Sequence, residues 1–232
     1  METMNDKMLD TLASAYIRGH SRRCGIPSLE RELLDPPLDT LSDDSLERIY
    51  RAGQGAELKL YRFKDHTDLP RVQKVLGFLR GIWPESLLDV GSGRGVFLFP
   101  FLRNFPGVPV TALDLLDYRV EFLNDLRLGG VDQLTALKEN ICSWPQPDGS
   151  FDVVTLLEVL EHIPDVANAV RAAVRLARRY VVVTVPSKPD NNPEHIHLLT
   201  KDILTDLFEK AGCRRLKFDG VPGHLFLVAS LD

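Results

Sequence analysis

The spacing of apolar positions divides the chain into two regions of different period. In residues 1–80 the intervals are helical. Met8, Leu9, Leu12, Ala13, Tyr16 and Ile17 fall on one helical stripe. Pro36-Pro37 then breaks the chain, and Ser45 to Arg51 forms a short helical pattern ending near Gly53-Gln54-Gly55. A third helix is expected from Thr67, its cap, with Pro70 in the first turn and Val72, Val75, Leu76 and Leu79 on its buried face.

From Ser86 the pattern changes. Short apolar runs alternate with helical stretches, as βαβ units around a parallel sheet require. Strands are expected at Leu87 to Val90, Val108 to Leu113, Gln133 to Lys138, Phe151 to Leu157, Tyr180 to Val185, Leu216 to Phe218 and Leu225 to Ser230. The last two flank the short connection Asp219 to Gly223 and are expected to pair as an antiparallel hairpin at the sheet edge. The fold expected is α/β: a Rossmann-like, doubly wound, mostly parallel sheet of seven strands. Residues 1–80 would form an N-terminal helical cap or lid, and residues 81–232 the binding domain.

Composition narrows the setting. A hydrophobic share of 44% and a charged share of 26% in 232 residues describe a globular protein. A formal net charge of −5 disfavours polyanionic partners. Cys24, Cys142 and Cys213 are far apart and form no Cys-x-x-Cys pair, so neither a disulfide framework nor a zinc knot is indicated. The first residues lack an apolar signal region, and no apolar run reaches membrane-spanning length. The expectation is a cytoplasmic protein with no membrane partner.

The chemistry concentrates in Leu87-Leu88-Asp89-Val90-Gly91-Ser92-Gly93-Arg94-Gly95, where a strand runs into a glycine-rich turn and then the helical run Val96 to Leu102. Such a turn lets a ligand approach the backbone. A dinucleotide pyrophosphate there would be repelled by Asp89, and its fingerprint needs a glycine where Val96 stands. S-adenosylmethionine has no phosphate and carries an ammonium beside a sulfonium, so Asp89 suits it. The phosphate-loop signature Gly-Lys-Ser/Thr is absent. Asp114, ending the second strand, would sit beside this turn and accept both ribose hydroxyls, or else cap the helix running from Tyr118. Asn140-Ile141 follows the third strand, ahead of the fourth at Phe151.

This order of motifs, from Ser86 to Asp232, resembles the class I S-adenosylmethionine-dependent methyltransferases. The resemblance implies cofactor contacts by Asp89, Gly91, Ser92, Gly93, Asp114 and the adjoining Leu115. It further implies that Asn140 holds the adenine amino group, Ile141 packs the ring and Leu157 ends the fourth strand against the cofactor. Members often carry Asp where this chain has Asn140, but an amide oxygen can also accept that hydrogen bond. Tyr61 and His66 precede the first core helix, where the family often places a lid. Trp144 is expected to pack near the adenine loop, and Pro186 and Pro189 to stiffen a loop facing the acceptor.

After the fourth strand come Glu158, Glu161 and His162, which would share one face if the run is helical. Two carboxylates and an imidazole at the carboxyl end of a sheet suit Mg²⁺, Mn²⁺ or Co²⁺. His195 or His197 could complete the set. The pattern is similar to the Glu-x-x-Glu-His plus distant His quartet of small-RNA 3′-terminal 2′-O-methyltransferases, which implies Glu158, Glu161, His162 and His195 as metal ligands. Ubiquinone-pathway O-methyltransferases carry a related Glu-x-x-Glu-His. In a metal-free site the catalytic residues would be His162, as base, and Glu161. The acceptor expected is a small hydroxylated molecule. Alternatives are an RNA 3′ end, a non-catalytic S-adenosylmethionine-binding module and a dinucleotide-dependent oxidoreductase. Arg171, Arg175, Arg178 and Arg179 are expected on a solvated helix face, with RNA contact as the other reading.

Overall fold

A computed structural model describes the backbone of residues 4–231 and the side chains of residues 11–231. Met8 and Leu9 therefore lie outside the described side chains. The chain begins with helix α1 (Met4–Cys24), which buries Leu12, Ala13, Tyr16 and Ile17. Helix α2 (Asp43–Gly55) starts where the Ser42 side chain accepts the Ser45 N–H. Helix α3 (Pro70–Ile82) has Pro70 at its first position and buries Val72, Val75, Leu76 and Leu79. Its N-cap is Leu69, not Thr67, because Pro70 fixes the first helical φ and Thr67 is held before it by the Asp65 carboxylate at 2.8 Å.

Strand β1 (Leu87–Val90) leads through the glycine turn to α4 (Leu98–Asn104). That helix starts two residues later than the apolar run indicated, since the turn extends through Phe97. Then follow β2 (Val110–Asp114), α5 (Asp117–Leu128), β3 (Leu134–Lys138), β4 (Phe151–Leu157) and α6 (Val166–Leu176). The chain closes with β5 (Ala177–Pro186), α7 (Lys201–Lys210), β6 (Arg215–Val221) and β7 (His224–Ser230). The hairpin connection is tighter than expected: Val221 pairs with His224, leaving only Pro222-Gly223 as the loop.

Among the described residues seven strands form one sheet in the order β3-β2-β1-β4-β5-β7-β6. Strands β1 to β5 are parallel, and β7 runs antiparallel to both β5 and β6. Strand side chains alternate between faces, and both faces are covered. Leu87, Val110, Leu134, Val153 and Val182 pack with α1 to α5 on one side. Leu88, Leu113, Val154, Val181 and Val183 pack with α6 and α7 on the other. This double burial is why the central strands read as unbroken apolar runs.

The N-terminal helix does not lie over the sheet's open end. It packs along α5 with almost no side-chain spacer: a Cβ at Gly19 would come within 1.7 Å of the Asp125 carbonyl oxygen, and one at Gly129 within 1.7 Å of the Ala15 oxygen. Asp125, 1% exposed, is held there by Arg23 through two bonds of 2.8 Å. Of the arginines expected on a solvated face, three are occupied by the fold. Arg178 and Arg179 bind the buried Asp152 at 3.0 and 2.9 Å. Arg175 holds the Trp144 carbonyl and Asp148, each at 3.0 Å. Trp144 is itself buried, its ring stacked 6.0 Å from Phe151.

Candidate active site

The strand order reverses direction at β1: β2 and β3 lie to one side of it, β4 and β5 to the other. Ligands of open α/β sheets bind outside the carboxyl ends of the strands at such a point. A cavity of about 850 Å³ opens there. Asp89, Gly91, Ser92, Gly93, Asp114, Leu115, Asn140, Ile141 and Leu157 all line it.

The turn is shaped by backbone geometry. Gly91 and Gly93 sit at φ +67 and +58, a region that disfavours side chains. At Gly91 a Cβ would also lie 2.7 Å from Val159. The Gly91 N–H continues the strand pairing by donating to the Leu113 carbonyl at 2.8 Å. Asp89 lies beneath the turn, 3% exposed, accepting the Thr155 hydroxyl at 2.8 Å. Burial pushes its carboxyl up to about 6, and nearby Asp114 adds to the rise. An unpaired cation brought to this spot would relieve that penalty.

Asp114, 5% exposed, uses both oxygens. Oδ2 accepts the Gly93 N–H at 3.1 Å and faces Arg119 at 3.3 Å, while Oδ1 accepts the Leu116 N–H at 3.0 Å. The helix N-cap is Leu116, so Asp114 orders the approach to α5 while still bordering the cavity. Asn140 turns its chain through a 3.0 Å bond from the Cys142 N–H, and Ile141, 3% exposed, forms an apolar wall.

The acidic and histidine residues divide differently from the expected quartet. Glu158 adopts φ +58, which ends any helical run, and a 3-10 turn follows at Leu160–His162. Glu158 therefore does not share a face with Glu161 and His162. Its Oε2 pairs with Nε2 of His224 at 2.9 Å. Glu161, His162 and His195 come together, with one potential ligand atom from each within 4.8 Å of the others. Glu161 is fully buried, neither carboxylate oxygen has a partner, and burial pushes its carboxyl up to about 8. It lies behind the cavity wall, whereas His162 lines the cavity. His162 Nδ1 faces the Glu194 carbonyl at 2.9 Å, and its ring meets that of His195 edge-on at 4.8 Å. His195 is braced by Asp190 at 2.8 Å. His197 is turned away, its Nε2 3.1 Å from the Ile163 carbonyl.

Several cavity residues escaped the sequence reading. Arg71 and Val72, from the start of α3, line the cavity in place of Tyr61 and His66. Arg119 and Thr184 line it too. Arg119 carried a weak signal, in the first turn of the helix that follows Asp114. Arg71, Thr184 and the cavity's neighbour His224 carried none, since only the tertiary fold brings them there.

A family model described as a methyltransferase domain matches residues 64–217. The chain belongs to this methyltransferase-domain family. Among curated relatives, a ubiquinone biosynthesis O-methyltransferase of Serratia proteamaculans is 34% identical over 112 residues, covering 47% of this chain and 44% of the relative. One of Bordetella bronchiseptica is 35% identical over 109 residues, covering 46% and 43%. The match thus spans less than half the length of these relatives. A solved S-adenosylmethionine-dependent methyltransferase from Aquifex aeolicus has the same fold, with a TM-score of 0.56 at 20% identity over 71% of this chain and 91% of that one.

Proposed function

We propose that the protein moves the methyl group of S-adenosylmethionine to a hydroxyl of a small molecule. The observation that carries this reading is the placement of two buried acids, Asp89 and Asp114, around the glycine turn. Asp89 would take the ammonium, Asp114 the ribose hydroxyls, and Asn140 with Ile141 the adenine. Arg71, across the same cavity, suits the methionine carboxylate. The bound cofactor supplies an activated methyl on sulfur. The chain's own part is to align the acceptor behind that methyl and exclude water. We keep residues 1–80 as a helical cap whose contribution to the cavity is the start of α3, and residues 81–232 as the binding domain.

A small acceptor is favoured over RNA because Arg175, Arg178 and Arg179 are committed to Trp144, Asp148 and Asp152. The relatives named as ubiquinone biosynthesis O-methyltransferases support the same choice. No described helix is long and apolar enough to cross a membrane. The free cysteines suit a reducing compartment, and we assign the protein to the cytoplasm.

A divalent ion fits one part of the site. Glu161 is a buried carboxylate with both oxygens orphaned, and His162 and His195 stand beside it. These three would hold Mg²⁺, Mn²⁺ or Co²⁺, which would act there as a Lewis acid. The orphaned carboxylate favours this second reading of the cluster, and His162 is its cavity-facing member. The decisive assay offers labelled S-adenosylmethionine with catechols and other hydroxylated metabolites beside short RNAs with and without a 3′-terminal 2′-hydroxyl. Transfer only to RNA, lost with the 2′-deoxy terminus, would replace the small-molecule reading.

A further inference from the structure

Two polar atoms on the β4–β5 side of the cavity are buried without a hydrogen-bond partner: Glu158 Oε1 and Thr184 Oγ1. Both residues line the cavity. They stand at adjoining strand ends, where the Glu158 N–H donates to the Thr184 carbonyl at 2.9 Å. A buried oxygen left unpaired in a cavity is costly unless a ligand completes it. Glu158 also holds φ +58, a strained setting for a residue with a side chain, and such strain clusters at working sites.

The other oxygen of Glu158 is held in place. Oε2 lies 2.9 Å from Nε2 of His224, the first residue of β7. Nδ1 of the same ring lies 3.1 Å from the Pro222 carbonyl oxygen. The ring thus bridges the Glu158 carboxylate and the Pro222 carbonyl, and fixes the carboxylate against the tight Pro222-Gly223 hairpin turn. The other oxygen, Oε1, is buried without a partner in a residue that lines the cavity. This arrangement is separate from the Glu161, His162 and His195 group, which does not include Glu158.

We propose that Glu158 is the catalytic base for the acceptor hydroxyl, that His224 is its positioning residue, and that Thr184 steadies the acceptor through its hydroxyl. The proposal rests on the hydroxyl-acceptor reading above. In the step, the acceptor oxygen forms a bond to the methyl carbon as the carbon–sulfur bond breaks. The bonding pair stays on sulfur, leaving a neutral thioether. The hydroxyl proton passes to Oε1 of Glu158, which becomes a neutral acid and later returns the proton to water.

The test uses the full chain with labelled S-adenosylmethionine and two probe acceptors, catechol and the more acidic 4-nitrocatechol. Glu158→Gln should lower kcat on catechol by about 10²-fold or more, with S-adenosylhomocysteine binding unchanged by titration. The loss should shrink on 4-nitrocatechol, which gives up its proton unaided. His224→Phe should lower kcat at an unchanged KM for catechol, and His224→Gln, which keeps an N–H donor, should recover part of the rate. Wild-type rates in Glu158→Gln would overturn the proposal, as would equal losses on both acceptors. Binding of cofactor with no transfer to either catechol or any other hydroxyl acceptor would instead overturn the underlying reading, and this one with it.

Discussion

Gly93 donates its backbone N–H to the carboxylate of Asp114 across 3.1 Å, so the acid ending β2 helps to hold the shape of the turn that follows β1. The two halves of the proposed cofactor site are thereby coupled. Asp114→Ala is expected to weaken S-adenosylhomocysteine binding by at least about tenfold, since it removes a charged acceptor and frees the turn. Gly93→Val should weaken it further. A Cβ there meets nothing closer than 3.5 Å, so the cause would be φ +58 and lost cavity space, not a clash with the fold. Isothermal titration measures both, and near-native affinity in both variants would remove the turn from the cofactor site.

The buried carboxyl of Asp89 gives cofactor binding a pH dependence. Its value is raised from 3.8 to about 6, so the ligand-free fold gains from the neutral acid below the unfolded value and loses that gain as pH rises through about 6. The cofactor's ammonium favours the ionised form. Affinity should therefore rise with pH up to about 6 and then level off, with a limiting slope of about tenfold per pH unit. Asp89→Asn should bind weakly with a flat profile. A wild-type profile that is flat through this range would exclude contact between Asp89 and the ammonium.

Glu161 makes a second, later transition. Its carboxyl is raised from 4.5 to about 8, so its contribution to ligand-free stability is fully present below 4.5 and lost as pH rises through 8. Between about pH 6 and 8, where Asp89 has finished titrating, Tm of the metal-free protein should fall with rising pH. In Glu161→Gln that fall should be reduced. Thermal unfolding in the presence of a chelator reads both, and identical slopes would place the dependence elsewhere.

If Glu161, His162 and His195 hold an ion, adding Mn²⁺ or Co²⁺ should raise Tm in a concentration-dependent way. The shift should be larger near pH 8 than near pH 6, because the carboxylate must ionise to bind. His195→Ala should lose most of the shift while binding S-adenosylhomocysteine normally. Glu158→Gln should keep it, since Glu158 lies outside the group. An unchanged Tm at millimolar ion would leave the three side chains as a metal-free wall.

Arg175 offers a test of the adenine side. It ties the Trp144 and Gln146 carbonyls and Asp148 to α6, behind Asn140 and Ile141. Arg175→Ala should cost about 1–2 kcal/mol of stability by leaving those carbonyls short of a donor. It should also weaken cofactor binding several-fold. The two effects are separated by comparing Tm with titration at low temperature.

The sheet was legible because strands buried on both faces leave apolar runs that the sequence cannot disguise, as at Val153 to Leu156 and Val181 to Val183. The turn was legible because a strand running directly into closely spaced glycines leaves a local signature, and Asp89, Gly91 and Gly93 all line the cavity. The acidic cluster was not. Helical spacing places Glu158 with Glu161, but one left-handed residue redirects the chain, and nothing in Leu157-Glu158-Val159 encodes that angle. Arg71 and His224 were invisible for a different reason. Their relevance arises only where α3 and the final hairpin reach the open end of the sheet, contacts that join distant parts of the chain.

The backbone contact between α1 and α5 alters what counts as the edge of the site. Residues before 64 fall outside the family match, yet Gly19 presses against Asp125 on the helix that begins three residues after Asp114. A side chain added at Gly19 would have to push α5 aside. The displacement would then act on the connection that Asp114 organises. Ancestry and mechanics therefore draw different borders in this molecule: a stretch that family comparison leaves out braces the helix that follows the proposed cofactor acid.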